Sequence, residues 1–206
     1  PNIDIKEKWT QKGLQKIESA IEKRLIENPL QNLTQSSVIF WPEVTLPKLI
    51  QKNSIDEFRN SILNENNMLG MVIGALSENE SEEINNSLIG IGNISGIYDK
   101  KFLVPFGEYV PLAGLFSVFF DFFNFNRPQI FSGNKSELIG NNLIKISSAI
   151  CYEIAYQNVF LSNSKKTNIL FNASNDNWFG TGLGPHQHLQ IARFRAAEHQ
   201  KYLVRS

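Results

Sequence analysis

Cys151, Lys100 and Glu43 are the residues of this chain whose types together could do covalent chemistry. Cys151 is the only cysteine. It stands at the end of Leu143-Ile144-Lys145-Ile146-Ser147-Ser148-Ala149-Ile150, a β-branched, part-alternating run that reads as a buried strand, with Glu153 two residues on. A free thiol has a pKa of about 8.5, so attack on a carbonyl needs a base to take its proton and a cation to hold the charge that develops. Glu43 follows the apolar run Ser36–Trp41 and Pro42, and Lys100 follows the extended stretch Ile94–Asp99. A carboxylate and a lysine supply the base and the cation. No histidine is placed for either task, which argues against a papain-like arrangement. Lys101 is the alternative lysine, since a register error of one residue exchanges it with Lys100. Taken singly, each residue has a plainer reading: a lone cysteine is most often a small inert hydrophobe, and a lysine pair in a turn is usually solvated. The balance changes because three strand ends present these groups and a fourth presents the loop Ser174–Gly180, and active sites gather where strands end.

The elements that must position these residues are legible as hydrophobic patterns. Trp9, Leu14, Ile17, Ile21 and Leu25 predict an amphipathic helix that ends near Asn28-Pro29 and covers a sheet. Ser36–Trp41 predicts a short strand closed by Pro42. Ser54 with Glu57 predicts a capping box opening a helix whose buried stripe is Ile55, Phe58, Ile62 and Leu63. Leu69–Ala75 and Ser87–Gly92 predict two strands joined antiparallel through a polar loop. Phe102–Pro111, with two prolines and a glycine, predicts an ordered loop carrying Glu108. Thr167–Ala173 predicts a buried strand, and Gly184-Pro185 opens a helix running to about His199. His186 and His188 are two apart and point in different directions on a helix, so they read as structural or rim residues and not as a metal pair. Leu112–Phe125 is too short to span a bilayer and too apolar for a water-facing loop; it reads as a core helix, a partner surface or an interfacial segment.

Composition bounds the function classes. A chain of 206 residues, 42% hydrophobic, fits one soluble-type domain over 1–206. Twenty basic residues balance twenty acidic ones, leaving no field to recruit nucleic acid. One cysteine forms no internal disulfide and does not choose a compartment. The chain opens at Pro1 without a methionine, and Lys201–Ser206 reads as the start of a strand with no turn after it. It therefore reads as a fragment, and what precedes Pro1 is free to include membrane helices.

Trp41-Pro42-Glu43, Tyr98-Asp99-Lys100 and Ile150-Cys151-Tyr152-Glu153 resemble the Glu, Lys and Cys motifs of the nitrilase superfamily. More specifically, Leu103–Pro111 and Ser174–Gly180, with Gly184-Pro185 and Gln187-His188 following, are similar to the periplasmic domain of the bacterial apolipoprotein N-acyltransferases. The resemblance covers nearly the whole chain. It implies an α/β fold, a nitrilase-like four-layer α-β-β-α sandwich incomplete here at both ends, and a membrane-spanning N-terminal bundle that this chain lacks. It also implies an acyltransferase that moves a fatty acyl chain from a phospholipid, via a cysteine thioester, to the N-terminal amine of a diacylglyceryl-cysteine apolipoprotein. By motif, Cys151 is the nucleophile, Glu43 the general base and Lys100 the cation, with Lys100 preferred over Lys101 by the family's Tyr-x-Lys spacing. Glu108, Tyr152 and Glu153 are supporting residues. The lipid entrance is expected at Trp41, Phe119, Phe120, Phe123 and Trp178. The implied partners are a phospholipid donor, a diacylglyceryl apolipoprotein acceptor and the bacterial inner membrane, with the domain facing the periplasm as a monomer; no metal, cofactor or nucleic acid is expected. Two competing readings are a soluble nitrilase-type amidase acting on a small amide or nitrile, and a binding module in which Cys151 is inert.

Overall fold

The computed structural model describes residues 8, 10–27, 37–62, 70–105, 107–109, 129–134, 138–160, 164–180 and 182–206, with only the backbone for 22, 24–27, 61–62, 164 and 177–178. Period-two alternation along β3 (Gly70–Glu78) sends Met71, Ile73 and Ala75 to one side and Val72 and Gly74 to the other. The first set packs with Ile89 and Ile91 of β4 (Ile84–Gly92), Leu46 and Ile50 of β2 (Leu46–Gln51), Ile17 of α1 (Gln11–Glu27) and Ile55 of α2 (Ile55–Ile62). Two helices therefore cover this face. On the opposite face Val72, Leu88 and Tyr98 of β5 (Ile97–Asp99) meet Ile139 of β6 (Ile139–Gly140), Ile146 and Ile150 of β7 (Lys145–Ile150), and Phe171 and Ala173 of β8 (Ile169–Ala173). Phe40 of β1 (Val38–Phe40) and Phe171 touch across this inner layer, with ring centroids 4.7 Å apart. A third cluster, Ala149, Leu170, Ile154 and Phe160 with Ala192, seats α3 (Gly184–His199) on the far side of the second sheet. Three apolar layers separating helices, sheet, sheet and helix make an α-β-β-α sandwich, the fold that the sequence motifs imply.

Topology places the strand ends. β1 and β2 both pair parallel with β3, against Gly70–Val72 and Ala75–Glu78 respectively, and β3, β4 and β5 follow as antiparallel neighbours. In the second sheet β6 pairs antiparallel with β7, while β7, β8 and β9 (Tyr202–Arg205) run parallel. Backbone bonds between Ser95 and Gly140, at 2.9 and 2.8 Å, join the two sheets.

One strand lies outside the expectations, and one expectation is corrected. The sequence pattern does not reveal β2, because Pro47 and Lys48 interrupt its apolar run; only Leu46 and Ile50 are buried, and a register shift between Leu46 and Leu49 accommodates the proline. The capping box does not form, because Ser54 closes a 3₁₀ turn, Lys52–Ser54, and its hydroxyl meets Asn53 Oδ1 at 3.2 Å. The stretch 112–125, with Phe119, Phe120 and Phe123, lies outside the described residues, as does the Trp178 side chain. Among the described residues no helix is long and apolar enough to cross a membrane.

Candidate active site

β1 and β2 run in line along one edge of β3, and the chain leaves that edge only around Pro42–Thr45. Gly74 is the β3 residue beneath this excursion. A Cβ there would lie 2.6 Å from the Val44 nitrogen and 2.7 Å from the Pro42 carbonyl oxygen, so only glycine lets the turn rest on the strand. Thr45 Oγ1 donates to the Pro42 carbonyl at 2.5 Å, and Val44 takes a left-handed φ of 43°. The turn buries Glu43, leaving it 9% exposed. Its Oε1 accepts from Asn86 Nδ2 at 2.8 Å, while Oε2 is buried with no hydrogen-bond partner among the described residues. A buried acceptor without a donor is costly unless something brings it a proton.

Lys100 follows β5, with its N–H donating to the Asn86 carbonyl and its own carbonyl accepting from Gly133 N–H, both at 2.8 Å. Gly133 must be small: a Cβ would come within 2.4 Å of Asp99 Cβ. Lys100 is 1% exposed, and its Nζ bonds Glu108 Oε1 at 2.7 Å. The other Glu108 oxygen accepts from Val104 N–H at 2.9 Å, which pins the loop. Burial alone would lower the Lys100 pKa, but the charges of Glu43, Glu108 and Cys151 outweigh it and raise the pKa, so the ammonium keeps its charge. Lys101 differs in that its backbone carries its described contacts, N–H to Glu153 Oε1 at 2.6 Å and carbonyl to the Ser132 hydroxyl at 2.6 Å.

Cys151 is the first residue after β7 and has a left-handed φ of 54°. Glu153, fully buried, stitches this bend to the lysine loop: Oε2 accepts from Ile150 N–H at 2.8 Å, and Oε1 accepts from both Lys101 and Phe102 N–H. Burial and then the Glu43 charge push the Cys151 thiol up to about 11, against opposing pulls from Lys100, the Ser174 side chain and the Tyr152 backbone N–H. At neutral pH only about one molecule in ten thousand holds a thiolate. The sulfur must therefore lose its proton as it attacks.

Glu43, Lys100, Glu108 and Cys151 thus form one electrostatic cluster, and Glu153 braces it. Tyr152 lies 41% exposed beside it, with its ring 5.8 Å from His188 and 6.5 Å from Phe179. Trp41, next to the Pro42–Glu43 turn, is partly buried against the helix-covered face of the first sheet. Sequence reasoning passed over Asn86, and it read His188 as structural or rim. His188 is no rim residue: it is 1% exposed and bonds the Cys151 carbonyl through Nε2 at 3.1 Å. His186 on the same helix is exposed, so the two do not converge. The Gln-His pair after Gly184-Pro185 was the available signal, but helical spacing tells only that the two histidines diverge. Among the described residues no group of three or more His, Cys, Asp or Glu could hold a metal ion.

Known proteins share this fold. Yeast Nit3, a nitrilase-superfamily member, superposes with a TM-score of 0.64 at 19% identity, covering 93% of this chain and 68% of its own. A carbon-nitrogen hydrolase from Helicobacter pylori gives 0.61 at 14% identity, covering 93% and 67%. By sequence, the apolipoprotein N-acyltransferase of Pasteurella multocida is 36% identical over 190 residues, which cover 85% of this chain and 36% of that protein. The enzyme of the same name from Haemophilus influenzae is 36% identical over 203 residues, 91% of this chain and 37% of its own. The chain thus spans a little over a third of the length of these curated relatives. The carbon-nitrogen hydrolase family model matches residues 2–206, and the chain belongs to that family.

Proposed function

We propose that this chain is the acyl-transfer domain of an apolipoprotein N-acyltransferase, with Cys151 as nucleophile, Glu43 as general base and Lys100 as oxyanion-holding cation. One observation carries the chemistry: the unpartnered, buried Oε2 of Glu43 belongs to the same cluster as a protonated Cys151 and a charged Lys100. Glu43 Oε2 takes the thiol proton as the sulfur bonds to the ester carbonyl carbon of a phospholipid. The carbonyl electron pair moves onto oxygen, where Lys100 Nζ stabilises it. Collapse breaks the ester C–O bond, and the lysophospholipid oxygen leaves with the proton held by Glu43. The thioester is then attacked by the N-terminal amine of a diacylglyceryl-cysteine lipoprotein. Glu43 takes an amine proton, the C–S bond breaks, and the proton returns to sulfur as the amide forms.

The name that the relatives carry supports N-acylation of an apolipoprotein. The phospholipid donor, the diacylglyceryl-cysteine acceptor and an inner-membrane enzyme with its catalytic domain facing the periplasm complete the proposal through the resemblance of Leu103–Pro111 and Ser174–Gly180. Glu108 holds Lys100, and Glu153 ties the lysine loop to the nucleophile. Trp41, Phe119, Phe120, Phe123 and Trp178 remain the proposed lipid entrance.

Intact mass spectrometry of the intact protein in detergent with phospholipid tests the reading. The expected result is a gain of one fatty acyl group, removed by hydroxylamine, absent in Cys151→Ala and much reduced in Glu43→Ala. No adduct from phospholipid, together with turnover of a small amide, would move the assignment to a nitrilase-type amidase.

A further inference from the structure

The carbonyl of Cys151 receives two side-chain donors that the reaction above does not use. His188 Nε2, from α3, lies 3.1 Å from that oxygen, and Asn172 Nδ2, from β8, lies 3.2 Å from it. A carbonyl only accepts, so His188 Nε2 must carry hydrogen. The other ring nitrogen faces Asp176 Oδ1 at 2.9 Å and Arg205 Nη2 at 3.0 Å. Asp176 is the hub of a ring of contacts: Oδ1 also accepts from the Ser174 hydroxyl at 2.8 Å, and Oδ2 accepts from Arg205 Nη2 at 2.5 Å. Arg205 Nη1 closes the ring by donating to Asn172 Oδ1 at 2.5 Å. This last bond also fixes the Asn172 amide: its oxygen must face the guanidinium, so its nitrogen faces the Cys151 carbonyl. Burial would raise the Asp176 pKa, but Arg205, Ser174 and His188 bring it below the usual carboxylate range, so the hub is an anion at neutral pH.

Peptide geometry makes these bonds consequential. In a trans peptide the C=O and the following N–H point in opposite directions. Drawing the Cys151 carbonyl toward α3 and β8 therefore turns the Tyr152 N–H the other way, onto the side of the sulfur, where it pulls the thiol pKa down. A left-handed non-glycine residue costs about 1–3 kcal/mol and persists only where its surroundings over-determine it. Two donors on one carbonyl, backed by an Asp–Arg pair, do that here.

We infer that His188 and Asn172, with Asp176 and Arg205 behind them, are positioning residues that hold the Cys151–Tyr152 peptide so that the Tyr152 N–H serves, beside Lys100, as an oxyanion donor. The inference rests on the reading of Cys151 as an acyl nucleophile. It gives the His–Asp pair a task unlike that in a serine-protease triad: the imidazole bonds the nucleophile's backbone and leaves the proton transfer to Glu43.

The test compares two reactions of Cys151 in the intact protein in detergent. Acylation by p-nitrophenyl acetate, read as the p-nitrophenol burst, passes through an oxyanion; alkylation by iodoacetamide does not. For His188→Leu the burst rate is expected to fall about 10²-fold, the cost of one misplaced oxyanion donor, while alkylation changes less than about fivefold. His188→Gln, whose amide restores a donor at the Nε2 position, is expected to recover most of the burst. Asp176→Asn, at a side chain 31% exposed, is expected to show the same split at about tenfold, and it serves as the probe should His188→Leu fail to fold. Equal losses in both reactions, or no advantage of His188→Gln over His188→Leu, would overturn the positioning role. A wild-type protein that the small ester fails to acylate at Cys151 would overturn the acyl-nucleophile reading itself, and the inference with it.

Discussion

The two sheets hold their halves of the site in opposite ways. On the first sheet the backbone does the work: Glu43 rides on a turn pressed against Gly74, and Lys100 leaves β5 against Gly133, so neither is fixed by many side chains. Glu43 keeps one oxygen without a described partner, and Lys100 has one carboxylate at hydrogen-bond distance. On the second sheet side chains surround the nucleophile. Glu153 takes three backbone N–H groups, and His188 and Asn172 take the Cys151 carbonyl. The difference follows from the tasks. A base that must gain and lose a proton is weakened by every bond that satisfies it in one state. A nucleophile in a strained backbone conformation needs many bonds to stay there.

Glu43→Gln probes this contrast with the largest effect. Acyl transfer should fall about 10²–10⁴-fold, the range for losing a general base. Iodoacetamide alkylation of Cys151 at pH 8 should become faster, because removing the Glu43 charge lowers the thiol pKa. If both rates fall together, Glu43 acts through structure and the contrast between the sheets is lost. Gly74→Ala is the next probe. Its Cβ meets backbone atoms at 2.6 and 2.7 Å, which cannot yield as a side chain can, so the Glu43 turn must move. Chemical denaturation should show a loss of about 1–3 kcal/mol. Acyl transfer should drop more than alkylation of Cys151, which stands on the other sheet; matched losses would mean that the two halves are not independently held.

The smallest effect sharpens the account of the nucleophile itself. The folded-state thiol pKa, about 11, lies above the unfolded value, so the folded state binds the proton more tightly. The resulting stabilisation is full below pH 9 and is lost as pH rises toward 11, amounting to about 2–3 kcal/mol at most. Thermal melts of wild type should decline over that window more steeply than those of Cys151→Ala. Parallel curves would show that burial does not perturb the thiol in this way.

Much of the frame was legible because it depends on short-range pattern. The alternation in Lys145–Ile150 and the apolar run Ile169–Ala173 announced β7 and β8, and Gly184-Pro185 announced α3. β2 escaped notice because an edge strand with a bulge needs few apolar residues, and its Pro47 and Lys48 argue locally against a strand. Helical spacing shows that His186 and His188 diverge, but the burial of His188 against the Cys151 carbonyl is a property of α3 docking on the second sheet, which no local pattern contains.

Residue types and their order along the chain determined which groups could do chemistry: one thiol, a carboxylate after a tryptophan-proline pair, a lysine after an extended stretch. Tertiary structure alone decided their partners. Asn86 reaches Glu43 across 43 residues of sequence, Glu153 reaches Phe102 across 51, and His188 reaches Cys151 across 37. The first arises within the first sheet, where the Glu43 turn rests on β3 beside β4; the other two arise only when the two sheets stack and α3 seals the second. Hydrophobic periodicity predicts which face of an element is buried, while the depth and neighbours of each polar group depend on how the buried faces meet.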